Sequence, residues 1–109
     1  MAQILITIKK RSTFVYVRDN GRFIRSSSFN LQILEDLQLE KAISVGYTAT
    51  KRLGNAVIRN KSKRIMRELA KKVITKYGKK NFYYVIIAKS HLLKKPFKEL
   101  ELELEKLII

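Results

Sequence analysis

The chain has 109 residues, no cysteine and a formal net charge of +15. That length suits one domain able to build its own core, and the missing cysteines exclude disulfides and cysteine-based metal sites. So large a positive excess points to a polyanionic partner, nucleic acid first and an anionic membrane surface second.

Residues 1–8 alternate loosely and predict an extended arm. The apolar run from Ile4 to Ile8 is interrupted by Thr7 and is too short to span a bilayer. It lacks the charged leader and cleavage site of a signal peptide, so the expectation is a soluble, cytoplasmic protein without a membrane partner. Residues 12–20 are ambiguous. Their β-branched and aromatic content favours a strand, whereas Ser12 or Thr13 as a cap and Gly21 as a stop suit a short helix. Gly21 and Ser26-Ser27-Ser28 bracket a turn or a short edge strand.

Residues 29–35 alternate clearly, with Phe29, Leu31 and Ile33 on one side and Asn30 and Gln32 on the other. A polar connection over 35–40 leads to a second alternating segment at 42–50. There Ile43, Val45, Tyr47 and Ala49 form an apolar face, and Ser44, Thr48 and Thr50 a polar one. Closeness in sequence predicts that these two strands pair antiparallel. The polar face runs straight into Lys51 and Arg52.

The stretch from Lys51 to Arg67 organises the chain. A basic pair meets Gly54, read as a turn device, and then Asn55, a helix cap. The helix that follows is predicted over about 56–77, ending at Gly78. Arg59, Lys63 and Arg67 fall at i, i+4 and i+8 on one face; Ile58, Ser62, Ile65, Leu69 and Val73, with Met66 beside them, fall on another. One side of this helix wants a core and the other wants anions. Asn60, inside the basic side, adds an amide that both donates and accepts. Half of the Lys and Arg residues lie within 51–80, where Glu68 is the only acid. Such a face repels itself unless an anion covers it. The helix also lacks the Trp and Phe of one that lies in a membrane.

Residues 82–88 are apolar on both faces, which suits a central strand covered on both sides. A loop over 89–95 carries His91, the only histidine, read as a surface residue. In residues 96–109 strict Glu/Leu alternation argues for a strand. Leu and Glu are nevertheless strong helix formers, and Pro96 suits a first turn. Phe97, Leu100, Leu104 and Leu107 share one helical face, so a helix is predicted, its glutamates forming a solvated face that balances the basic half. No repeat, linker or low-complexity segment interrupts the chain, and residues 1–109 are read as a single nucleic-acid-binding domain.

The chemistry of a protein nuclease is missing. Such a site needs clustered carboxylates for Mg²⁺, or a placed acid and base, and the only aspartates are Asp19 and Asp36.

The segment Val45-Gly46-Tyr47-Thr48-Ala49-Thr50-Lys51-Arg52-Leu53-Gly54-Asn55-Ala56-Val57-Ile58-Arg59-Asn60-Lys61-Ser62-Lys63-Arg64 resembles the signature of the bacterial ribonuclease P protein subunit. That pattern is a strand, a basic pair, Gly-Asn-Ala-Val and an Arg-Asn-Arg helix ending in Lys-Arg, and length and element order extend the resemblance over most of the chain. Two positions depart from it. Lys61 replaces the second Arg of the triplet, keeping charge without the planar fork. Ser62 stands where the family usually has an apolar residue, which predicts looser packing there.

The resemblance implies an α+β fold: a single small domain with a helix over residues 12–20 and the order α-β-β-β-α-β-α. It implies a mixed four-stranded sheet and a left-handed βαβ crossover, where general chain geometry favours a right-handed one. It also implies a protein subunit that binds a catalytic RNA and the 5′ leader of precursor tRNA, while Mg²⁺ is held mainly by the RNA. No metal is expected on the protein alone and no obligatory protein partner is evident. Carried over by position, Lys51, Arg52, Asn55, Arg59, Asn60, Lys61, Lys63, Arg64 and Arg67 would contact the catalytic RNA. Phe14, Arg18, Gln32, Thr48 and Thr50 would line the leader cleft. Two of these, Arg18 and Gln32, stand where the family is often aromatic, which points to charge and hydrogen bonding there rather than stacking. For Phe14, simple core packing is an equal alternative. The competing functions are a general RNA-binding or ribosomal protein and a DNA-binding regulator. Major-groove reading needs a few side chains aimed at base edges, whereas this helix offers a broad spread of cations.

Overall fold

The computed structural model describes residues 3–109. Its elements are β1 (Leu5–Thr7), α1 (Arg11–Asn20), β2 (Arg22–Arg25), β3 (Phe29–Glu35), β4 (Ile43–Thr48), α2 (Ala56–Leu69), α3 (Thr75–Tyr77), β5 (Phe82–Ala88) and α4 (Phe97–Ile108). The strands form one five-stranded mixed sheet in the order β1-β4-β5-β3-β2. This is the expected α+β class with one strand more than expected. The extra strand comes from the arm: Leu5–Thr7 pair in parallel with Ile43–Val45 of β4, and the Ile8 amide donates to the Val45 carbonyl at 2.8 Å. The first two residues of that arm lie outside the described residues.

The central position belongs to β5, as its two apolar faces require. It pairs antiparallel with β3 and parallel with β4. The antiparallel pairing expected between β3 and β4 is therefore absent. The chain leaves β4, crosses through α2 and α3, and returns as β5 between the two. Tyr84 and Ile86 enter the core under α2, while Val85 faces α1.

Residues 12–20 are helical despite their β-branched content because tertiary contact overrides local propensity. Phe14 and Val17, one turn apart, pack against Ile8 and Val85 on the sheet. The long helix runs from α2 through a wider π-type turn at Ala70–Ile74 into α3 and stops before Gly78. Its buried residues are Ser62, Met66, Leu69, Ala70, Val73 and Ile74. Ser62 has no exposure, and its hydroxyl donates to the Ile58 carbonyl at 2.9 Å. The polar atom is thus satisfied inside its own helix, so the departure at Ser62 leaves no unpaired group there.

The C-terminal segment is helical because Leu100, Leu104 and Ile108 stack every fourth residue and are all buried. One of its glutamates is not part of a solvated face. Glu103 accepts from the Ser26 hydroxyl at 2.5 Å and the Ser28 amide at 2.9 Å, with Lys95 Nζ 3.5 Å away. Burial raises its pKa and is the largest single influence, but these donors and the Lys95 charge together outweigh it and hold the carboxyl below its ordinary value. Glu103 thereby ties α4 to the β2–β3 turn. Among the described residues, no helix is long and apolar enough to cross a membrane.

Candidate nucleic-acid interface

The basic face begins with a turn that only glycine makes easily. Lys51–Leu53 form a short 3₁₀ turn, and Gly54 follows at φ +148°, a region closed to other residues without strain. Asn55 then caps α2, its Oδ1 accepting from the Ile58 amide at 3.0 Å. The Asn55 side-chain oxygen is therefore committed to the helix, and its NH₂ group remains for a ligand. Beyond the cap, Asn60, Lys61, Arg64 and Arg67 are exposed, as are Lys51 and Arg52 before it; Arg59 and Lys63 are half-buried. The two ion pairs among the described residues, Arg18–Asp19 and Lys95–Glu103, involve none of these cations. The positive end of the α2 macrodipole lies within the same patch. Arg59 Nε is buried without a hydrogen-bond partner among the described residues, which costs free energy. The Arg67 guanidinium lies 5.8 Å from the centre of the Tyr47 ring. Burial raises the Tyr47 pKa, with the Arg67 charge opposing it, so the phenol is neutral at ordinary pH.

On the α1 side of the sheet the structure brings together residues that are far apart in sequence. Phe14 and Arg18 from α1, Gln32 from β3, Thr48 from β4 and Thr50 just beyond it line a single groove of about 300 Å³, with Arg11, Val15, Val85 and Ile87. A second hollow of about 390 Å³ is lined by Lys9, Arg11, Phe14, Tyr47, Thr48, Ala49 and Lys63. The two share Arg11, Phe14 and Thr48, so the sheet-face groove adjoins the hollow beside Lys63 of the basic helix.

Phe14 serves both core and groove. It packs against Ile8, Val17 and Val85 and closes on Gly46, where an added methyl would meet the ring edge at 2.5 Å. The same ring walls both hollows. Gln32, although on the polar side of β3, is 8% exposed and forms part of the groove floor. Sequence reasoning missed Lys9, Arg11 and Tyr47. Arg11 was within reach: in a helix, Arg11, Phe14 and Arg18 fall at i, i+3 and i+7 on one stripe. His91 is exposed on a 3₁₀ turn.

A hard cation such as Mg²⁺ needs several oxygen ligands, usually carboxylates. The groove supplies two hydroxyls and an amide beside two arginines, and no carboxylate. No cluster of three or more His, Cys, Asp or Glu able to hold a metal occurs among the described residues. The groove residues by themselves do not supply the ligand set of a Mg²⁺ site.

A groove with an aromatic wall, a neutral polar floor and arginines along it, opening onto a broad cationic helix, suits a single strand and a folded polyanion side by side. The family model described as Ribonuclease P matches residues 5–109. The ribonuclease P protein component of Symbiobacterium thermophilum is 33% identical over 100 residues, covering 92% of this chain and 85% of the relative. That of Brucella suis is 32% identical over 111 residues, covering 95% and 78%. Among solved structures, the Staphylococcus aureus RNase P protein superposes with a TM-score of 0.76 at 26% identity, over 92% of this chain and 89% of that one. The Thermotoga maritima RNase P protein shares the fold with a TM-score of 0.80 at 20% identity, covering 94% of each chain.

Proposed function

The chain belongs to the bacterial ribonuclease P protein family, and from that membership we propose that it is the accessory subunit of a holoenzyme in which a catalytic RNA removes the 5′ leader of precursor tRNA. In this reading the basic face of α2, with Lys51 and Arg52, binds the catalytic RNA. The α1–sheet groove holds the single-stranded leader, and the RNA supplies the Mg²⁺ sites in the cytoplasm. One observation carries the proposal: the groove and the cationic helix are joined through Arg11, Phe14 and Thr48. A leader in the groove would then run beside RNA bound on α2. The protein's contribution is positioning and charge neutralisation. Guanidinium and ammonium groups offset the repulsion between two phosphate backbones brought close together.

The test is reconstitution with a bacterial ribonuclease P RNA. RNA-free protein is expected not to cut precursor tRNA, and the protein is expected to lower the Mg²⁺ concentration at which the RNA removes the leader. Robust metal-dependent cleavage by RNA-free protein, or an unchanged Mg²⁺ requirement, would refute the reading. Leader contact is tested by Phe14→Ala, expected to weaken binding of leader-bearing precursor and leave mature tRNA binding unchanged. Equal loss of both, with an early melt, would show a core role only.

A further inference from the structure

Phe23 is the most exposed aromatic side chain among the described residues, 51% accessible on the edge strand β2. A single exposed apolar residue is ordinary, but the placement of this one is not. Its partner across the β2–β3 pair is Gln32, which forms part of the groove floor. Directly paired residues project from the same face of a sheet, so Phe23 stands on the groove side, one strand beyond Gln32. Arg25, two residues on, pairs with Asn30 and projects from that face too. Its guanidinium lies 6.0 Å from the centre of the Phe23 ring and takes part in neither ion pair of the described residues. A flat π surface with an unneutralised cation beside it is the pairing that takes a nucleic-acid base and its phosphate without regard to sequence.

We propose that the leader groove continues across the sheet onto β2, where Phe23 stacks a base and Arg25 holds the adjoining phosphate. This second stacking site lies three strands from Gly46, on which the Phe14 ring rests, a span of roughly 14 Å at the usual inter-strand spacing. The occupant is single-stranded RNA: the residues lining the groove include no carboxylate, the acid beside it, Asp19, is paired with Arg18 at 3.1 Å, and beyond Gln32 the polar side chain on that face of β2 is Arg25. The proposal rests on the leader-binding reading of the groove, which it extends in length.

The experiment measures holoenzyme affinity for precursor tRNAs whose leaders run from one to about ten nucleotides, within the site sizes usual for such grooves. Affinity is expected to rise in two steps as the leader first reaches one aromatic and then the other. Phe23→Ala should remove one step, weakening the long-leader substrate by about five- to tenfold, the lower range for loss of one stacked base. Mature tRNA binding should be unchanged. Phe23→Trp keeps a π face and should restore the step; Arg25→Ala should reduce it and lower the salt dependence of long-leader binding. If Phe14→Ala abolishes a step while Phe23→Ala leaves the length profile intact, the extension is wrong and the leader groove stands. If neither variant changes the profile, both fall. Equal loss of mature and precursor tRNA in Phe23→Ala, or failure of Phe23→Trp to restore the step, would assign Phe23 a structural role and overturn the proposal.

Discussion

Gly46→Ala tests the groove wall without touching a ligand-facing polar group. Gly46 is buried on β4 beneath Phe14, and a methyl there would lie 2.5 Å from Phe14 Cε1, 2.9 Å from Cζ and 3.2 Å from Ile8 Cδ1. Carbon atoms rest about 3.5–4.0 Å apart, so the ring must retreat by about 1 Å or more. Overpacking of this kind costs about 1–3 kcal/mol, while replacing glycine by alanine in a strand returns up to about 1 kcal/mol. The ring borders open groove and has somewhere to go, which favours the low end. The expected net loss is about 1 kcal/mol, or about 4 °C in Tm for a domain of this size. Leader binding should suffer more than stability, because a displaced ring forfeits a stacking contact worth about 1–3 kcal/mol. Thermal melts and leader-dependent binding by the holoenzyme would be measured for Gly46→Ala, Phe14→Ala and the double variant. Removing the ring makes room for the methyl, so the double variant should be more stable than the sum of the singles by about 1 kcal/mol or more. Additivity within about 0.5 kcal/mol, or wild-type leader discrimination in Gly46→Ala, would refute the packing of Phe14 on Gly46.

Arg59→Ala and Arg64→Ala should weaken binding of the catalytic RNA, each flattening the slope of log affinity against log salt by about one, and the loss of exposed Arg64 should leave the melt unchanged; unchanged slopes in both would remove α2 from the RNA-binding face. Gly54→Ala should destabilise the protein by about 1–3 kcal/mol, because φ +148° and ψ −159° lie in a region nearly reserved for glycine and the new methyl would meet Ile58 Cδ1 at 2.8 Å; an unaltered Tm would contradict the turn. Glu103 has a folded-state pKa below its ordinary 4.5. Its stabilising contribution is therefore complete above that value and is lost as pH falls through the lower folded value. Glu103→Gln should lower Tm at neutral pH and flatten the acid limb of the stability curve, and a curve parallel to the wild type would show that the tie to Ser26 and Ser28 contributes nothing.

Local pattern and tertiary arrangement divide this molecule cleanly. Near-continuous apolar runs, two-residue alternation and helix caps are properties of neighbouring residues. They located β3 and β5 at their observed bounds, the cap at Asn55, the turn at Gly54 and the basic face of α2. Residues 12–20 carried signals for both strand and helix, and only the sheet beneath Phe14 and Val17 decided between them. Leu5–Thr7 became a strand because β4 had an open edge beside it, a fact no local pattern holds. Likewise β3 and β4 are separated because β5, arriving after a long crossover, has two apolar faces to bury and takes the interior position.

The site divides in the same way. The nine residues assigned to the catalytic RNA lie within one short stretch, 51–67, and three of them, Arg59, Lys63 and Arg67, share a face by helical spacing alone. The five assigned to the leader come from separate elements, and what the sequence offered for them was resemblance. Their meeting in one groove depends on where α1 lands on the sheet. The sequence by itself determined the charge and the helix that carries it, because these depend on composition and short-range periodicity. The groove, its continuity with that helix and the position of Phe23 beside Gln32 were decided by tertiary structure, because strand order and register are set by which apolar faces must be buried together.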